Sequence, residues 1–206
     1  MKKKYGRRNF INTAIAGGIG LGLSNSFSAL YAQSGASQKR IGIIGLDTSH
    51  SIAFTKALNA AGASADFKGY KVVAAYPKGS NDIISSAERI PGYTEEVKKL
   101  GVEIVSSIKE LLKKTDYILL ETNDGRLHLQ QALEVIKAGK PMFIDKPIAA
   151  SLKDAVAIFK AAEQNNVPVF SSSSLRFMTS AQEVAKGKVG KVLGADCYSP
   201  AHLEKT

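Results

Sequence analysis

Six short apolar runs punctuate the chain: RIGIIGL (40–46), YKVVAAY (70–76), VEIV (102–105), DYILLE (116–121), PMFID (141–145) and VPVF (167–170). They are continuous rather than alternating. A strand with one wet face alternates apolar and polar residues, whereas a strand covered on both faces has no such need. The intervening segments read as helices. His50–Ala61 is one. The segment 93–101 is a short one with Thr94 at the N-cap and Gly101 just past its end. Ser107 and Glu110 make a capping box for the next. The helix from Gly125 ends at Gly139, and Ser151 with Asp154 opens the last. Strand–helix units joined by short loops predict the α/β class: a doubly wound parallel sheet. Ile41–Gly45, Val72–Tyr76, Ile118–Glu121 and Met142–Asp145 are expected among its central strands. From Leu175 the pattern changes to a helix, a turn and a new strand, the start of a second α/β domain. The expected boundaries are a leading segment at 1–38, the sheet domain at 39–175, and the opening of the second domain at 176–206.

The chain has 206 residues, 44% hydrophobic and 22% charged, enough for one sizeable core and part of another. A formal net charge of +10 would suit a polyanionic partner. Half of that excess sits in Lys2, Lys3, Lys4, Arg7 and Arg8, and the rest is scattered. A nucleic-acid footprint is clustered, so no nucleic-acid partner is expected. The basic N-terminus has its own explanation. MKKKYGRRNFI carries twin arginines, AIAGGIGLGL is a short apolar stretch, and SNSFSALYA is rich in small residues. This is the pattern of a twin-arginine export signal. A periplasmic or otherwise exported location is expected, with membrane contact only through an uncleaved signal segment. The single cysteine, Cys197, excludes an internal disulfide.

Ligands of open α/β sheets bind beyond the carboxyl ends of the strands. Those ends carry Asp47–His50, Tyr76–Ser80, Glu121–Arg126, Asp145–Pro147 and Ser171–Arg176. At the first of them a strand runs into the turn Gly45-Leu46-Asp47-Thr48-Ser49-His50 and then a helix. A pyrophosphate-binding turn at this point usually reads G-x-G-x-x-G. Here Asp47 and His50 stand in place of the second and third glycines. The helix N-terminus still offers free N–H groups and a favourable dipole. Thr48 or Ser49 can equally well just cap it. Two readings therefore stand: a dinucleotide site of altered geometry, or one that has lost its nucleotide. An inward carboxylate would cost roughly 4 kcal/mol at about 4 Å from a phosphate charge. The helix dipole returns only about 0.3–1 kcal/mol. Unless His50 is protonated beside it, an inward Asp47 outweighs the dipole, so Asp47 is expected to turn back and hydrogen-bond in the loop, leaving weakened dinucleotide binding. Asp47, His50, Glu121, Asp124, His128 and Asp145 together contain metal-ligating types. No tight spacing such as H-E-x-x-H joins them. Asp124 reads as a turn residue before Gly125 and His128 as a helix-face residue, so no metal is expected.

The stretch NDGRLHLQQALEVIKAGKPMFIDKPIAASLKDA (123–155) resembles the glucose–fructose oxidoreductase and inositol dehydrogenase family, written Gfo/Idh/MocA. That family shows T-P-x-x-x-H, then A-L-x-A-G-K, then E-K-P. This chain has His128, ALEVIKAGK and Asp145-Lys146-Pro147, followed by SLRF with Arg176 and Phe177, and by GKVGKV. The resemblance covers Lys39 to about Tyr198. It implies an N-terminal Rossmann domain that binds NAD or NADP, and a C-terminal α/β domain whose large open sheet shapes the substrate pocket. The implied chemistry is hydride transfer at a carbohydrate or polyol carbon. The motif lysine, Lys146, is implied as catalytic, placed near nicotinamide and substrate to orient a hydroxyl and lower its pKa. Pro147 is implied in a fixed turn, cis in this family. A small-molecule carbohydrate is the expected partner, and a homo-oligomer the expected full-length form.

The chain departs from the family pattern in three places. The glycine turn is altered, as above. The second strand ends AAYPKGS with no acid to grip the ribose hydroxyls. Lys78 and Ser80 there suit a 2′-phosphate and hence NADP, or Pro77 and Gly79 make a plain surface turn. The family's proton-transfer histidine or aspartate belongs to the second domain, and His202 falls too early to match it. The chain is therefore expected to be a piece of a longer protein, inactive by itself. The candidate cofactor-binding residues are Gly45, Asp47, Thr48, Ser49, His50, Lys78, Ser80, Asn123, Arg126, His128, Asp145 and Arg176. Beside the oxidoreductase reading stand an NAD-assisted glycosidase and a non-catalytic sugar- or nucleotide-binding relative.

Overall fold

The computed structural model describes residues 38–196 and 198. Six strands form one sheet: β1 (Lys39–Ile44), β2 (Tyr70–Tyr76), β3 (Glu103–Ile104), β4 (Tyr117–Leu120), β5 (Met142–Ile144) and β6 (Val169–Ser171). Their spatial order is β3-β2-β1-β4-β5-β6, and every neighbouring pair is parallel. The helices are α1 (Ser49–Asn59), α2 (Ile84–Lys99), α3 (Ile108–Lys114), α4 (Gly125–Lys137), α5 (Leu152–Gln164) and α6 (Thr179–Ala185). Single 3₁₀ turns cover Ala65–Phe67 and Ser174–Phe177. The four strands expected at the centre are there, in parallel register. None of the described helices is long and apolar enough to cross a membrane.

Two hydrophobic clusters explain why the strands read as continuous apolar runs. Ile41, Ile43, Val72 and Ala75 pack with Ile52 of α1 and Val97 of α2. Ile44, Ala74, Ile118, Leu120, Met142 and Ile144 pack with Leu111 of α3, Val135 of α4 and Ile158 of α5. Successive side chains point to opposite faces, and both faces are covered. The strand order reverses between β1 and β4. In such sheets the ligand crevice lies outside the carboxyl ends of the strands at this switch point.

Most caps sit where the sequence puts them. Ser107 Oγ accepts from Glu110 N at 3.2 Å, and Ser151 Oγ accepts from Asp154 N at 3.1 Å. The Glu110 side chain reaches Ser106 N at 3.0 Å instead of the cap residue itself. Gly101 and Gly139 take positive φ, 82° and 69°, just past their helices. Two expectations are corrected. The helix expected from Thr94 begins at Ile84 and runs through Pro91. Proline removes one backbone donor, yet burial of Ser86 and Val97 holds the segment together on either side of it. Thr94 caps nothing: its hydroxyl donates back to Ile90 O at 2.6 Å. Among the described residues, no strand follows α6. Val192 and Leu193 lie exposed, and an isolated strand has no partner to satisfy its backbone. The segment expected to direct export, Cys197 and His202 lie outside the described residues.

One side chain completes the sheet. β2 carries a register shift opposite Ile41 and Gly42. Asn59, at the end of α1, accepts from Val72 N at 2.9 Å and donates to Val72 O at 2.8 Å. It also donates to Leu100 O at 3.2 Å. Its amide thus stands in for a strand neighbour. Asn59→Ala leaves those groups unpaired and should lower stability by about 1–3 kcal/mol. Chemical denaturation with an unchanged m-value checks this; a loss under 0.5 kcal/mol would contradict it.

Candidate functional site

The crevice is built from the turn after β1. Gly45 N donates to Tyr76 O at 2.9 Å and Leu46 N to Pro77 O at 3.2 Å, so the turn is anchored to the end of β2. Gly45 has φ 91°. A Cβ there would lie 2.5 Å from Thr122 N and 2.6 Å from Thr122 Cα. The first glycine of the expected turn is thus required twice, by its backbone and by the close approach of the β4 loop. Thr48 is the N-cap of α1, accepting from His50 N at 3.4 Å, while Ser51 Oγ donates to Thr48 O at 2.7 Å. Ser49 opens the helix and is exposed. Thr122 is 1% exposed, and its hydroxyl has no partner.

Asp47 is fully buried. It does not bond only within its own loop. Oδ1 accepts from Asn123 N at 3.0 Å, bridging the β1 and β4 loops. Gly79 covers it so closely that a methyl group there would overlap the carboxylate. Burial pushes the Asp47 carboxyl above its ordinary range, opposed chiefly by the hydrogen bond from the Asn123 amide to Oδ1, while Oδ2 has no hydrogen-bond partner.

On the other side of the turn three groups converge. His50 Nδ1 lies 2.7 Å from Asp145 Oδ2. Glu121, at the end of β4, is fully buried, and neither carboxyl oxygen has a hydrogen-bond partner. One ligating atom from each of His50, Glu121 and Asp145 lies within 4.8 Å of the other two. Desolvation, then the Asp145 charge and more weakly Asp47, push Glu121 up to about 8, against the pull of Lys146. Lys146 is exposed, with Nζ 3.8 Å from Asp145 Oδ2. The Lys146–Pro147 bond is cis.

The remaining candidates divide. Arg126 is committed to acids: its guanidinium contacts Asp82 at 2.6 Å and Asp124 at 2.7 Å. Asp124 also caps α4, accepting from Arg126 N at 2.9 Å. Ser80 Oγ donates to Asp82 Oδ1 at 2.6 Å, which ties the β2 loop into the same network. The Asp82 carboxyl is held down at about 2 by Arg126. Lys78 is exposed beside an open pocket of about 210 Å³ lined by Tyr76, Gly79, Asn81, Leu127 and Gln131. The His128 ring is buried between two main-chain carbonyls, Thr122 O at 2.7 Å and Ile148 O at 3.1 Å. It clips the β4 and β5 loops together beneath the crevice. Arg176 lies exposed in the 3₁₀ turn after β6.

Asp82 was not among the residues selected from the sequence, and Glu121 was named there only among the metal-ligating types, not among the cofactor-binding candidates. Glu121 left a signal: a charge ending an otherwise apolar buried strand. Asp82 left none, because its importance comes from Arg126, 44 positions away.

The model of an oxidoreductase family with an NAD-binding Rossmann fold, Gfo/Idh/MocA, matches residues 39–173. The chain belongs to the Gfo/Idh/MocA family. A 1,5-anhydro-D-fructose reductase of Ensifer adhaerens is 30% identical over 129 residues, covering 58% of this chain and 38% of the relative. Among solved structures, the WlbA dehydrogenase from Bordetella pertussis, in complex with NADH and UDP-GlcNAcA, is similar at 22% identity with a TM-score of 0.58. That match covers 74% of this chain and 41% of the dehydrogenase. Biliverdin reductase from Synechocystis, in complex with biliverdin and NADP+, is similar at 15% identity and TM-score 0.55, covering 74% of this chain and 43% of the reductase. At these identities the solved structures share the fold alone. The chain spans about two fifths of the length of each of these relatives.

Proposed function

We propose that this chain carries the nucleotide-binding domain of an NAD(P)-dependent oxidoreductase acting on a carbohydrate or polyol. The observation that carries the reading is the retained glycine cradle. Gly45 is held at positive φ against the Thr122 backbone, at the sheet's switch point and beside the N-terminus of α1. The orphaned Thr122 hydroxyl supplies a further polar atom at this spot. The names of the Ensifer reductase and the Bordetella dehydrogenase complex support a sugar as the substrate class.

The residues present fit the cofactor on two conditions, and both concern charge. Asp47 is turned aside and hydrogen-bonded to the β4 loop. Glu121 carries a proton at neutral pH, because burial and Asp145 raise it to about 8. The nearby formal negative charge is then reduced to Asp47 and Asp145, with Lys146 and His50 beside the latter. Gly45, Thr48, Ser49 and Thr122 would hold the pyrophosphate, and Lys78 would face the adenosine end. When bound, the nicotinamide ring supplies hydride exchange. Lys146, exposed at the end of β5, orients a substrate hydroxyl and favours its ionised form. Asp145 lies 3.8 Å from the ammonium.

Calorimetric titration of NAD and NADP tests the proposal. One site per chain is expected, with tighter binding to Asp47→Gly, which removes a buried acid and restores the second glycine. Absence of binding of either nucleotide to both proteins would favour the non-catalytic reading.

A further inference from the structure

We propose that His50, Glu121 and Asp145 form a binding site for one first-row divalent cation of the Zn2+ or Mn2+ class, in the crevice between β1 and β4. This goes beyond the nucleotide reading and does not depend on it. The three side chains come from different parts of the fold: the first turn of α1, the end of β4 and the end of β5. Their ligating atoms already lie within 4.8 Å of one another. Bonds of about 2.0–2.2 Å place neighbouring ligand atoms roughly 3–4 Å apart, so a small side-chain adjustment closes the set.

Glu121 is the observation that points to a ligand. Its carboxyl is 0% exposed, and both oxygens lack any hydrogen-bond partner. A buried polar group without a partner is costly, and sheets of this kind place binding groups at this position. A purely structural carboxyl here would need a hydrogen-bond partner, and none of the described residues supplies one. Asp145, 5% exposed, has its Oδ2 against His50 Nδ1 at 2.7 Å. A cation would take the place of the proton between them. Lys146 balances Asp145 from 3.8 Å, and Asp47 adds negative potential behind Glu121. One imidazole nitrogen with two carboxylates suits Zn2+, Mn2+ or Fe2+ better than the all-oxygen sets of Ca2+ and Mg2+. His50 is 36% exposed in its side chain, so the remaining coordination positions are open to water.

The test is calorimetric titration of the chelator-treated full chain with Zn2+ and with Mn2+, in the absence of nucleotide. One site per chain is expected for at least one of the two cations. Glu121→Gln and Asp145→Asn should each weaken it at least tenfold, while Cys197→Ser leaves it unchanged. Thermal melts establish that each variant is folded, and if Asp145→Asn is not, Glu121→Gln alone decides. Titration with Co2+ gives an independent readout: visible absorption bands that are lost in His50→Gln. No binding of Zn2+ or Mn2+ at millimolar concentration would overturn the proposal. So would one-site binding that Glu121→Gln leaves intact.

Discussion

Replacing Glu121 by glutamine is expected to make the metal-free protein more stable at pH 7, by on the order of 2–3 kcal/mol, and to flatten its stability profile between about pH 4.5 and 8. The folded-state value is raised from 4.5 to about 8, chiefly by burial and then by Asp145 and Asp47, with Lys146 opposing. His50, beside Asp145, faces the same cluster. The folded chain therefore keeps a proton that the unfolded chain releases. Below about pH 4.5 both states hold it and nothing is lost. As pH rises toward 8 the unfolded state gains by ionising, and stability falls. Above about 8 both states are ionised and this contribution levels off. Glutamine keeps the shape and removes the titration. Denaturant melts at several pH values in chelator provide the check. Parallel profiles for the two proteins would show that Glu121 does not titrate as described. A gain in stability on deleting a charge from a binding crevice is the usual sign of a residue kept for function.

The opposite sign is expected at Gly45. Gly45→Ala puts a methyl group 2.5 Å from a backbone nitrogen that cannot move without shifting β4. It also forces a non-glycine residue to φ 91°. The left-handed backbone costs about 1–2 kcal/mol, and overpacking commonly adds about 1–3 kcal/mol. A total loss of about 3 kcal/mol or more is a large part of a typical domain's 5–15 kcal/mol. By contrast, Gly139→Ala meets open space and pays only the backbone term, at φ 69°. Measured together by denaturant unfolding, the two variants should differ by at least 1 kcal/mol. Equal losses would show that the β1 turn is not pinned against β4.

The parts of the fold set by local chemistry were legible in the sequence. Apolar runs such as RIGIIGL marked strands buried on both faces, and Ser107, Ser151, Gly101 and Gly139 marked helix ends. The helix read from Thr94 was too short: it starts at Ile84 and continues through Pro91. The turn at Gly45 could be placed, and Asp47 could be argued to turn aside, from charge alone. Its partner could not be named, since Asn123 lies 76 positions away. The acids and histidines at the strand ends could be named as a group, but not that His50, Glu121 and Asp145 are the three that converge. No short spacing records that convergence, because three separate strand ends bring the groups together. Arg126 read as a free cation for a ligand, yet Asp82 and Asp124 already engage it.

The central claim is that the crevice at the β1–β4 switch point holds a nicotinamide dinucleotide despite Asp47. The most direct measurement is a backbone amide NMR map of the labelled chain titrated with NADH. The account predicts saturable shifts concentrated at Gly45, Thr48 to His50 and Thr122 to Asn123. Weaker ones should appear at Lys78 and Gly79. Shifts confined to other surfaces, or none at millimolar NADH, would contradict it.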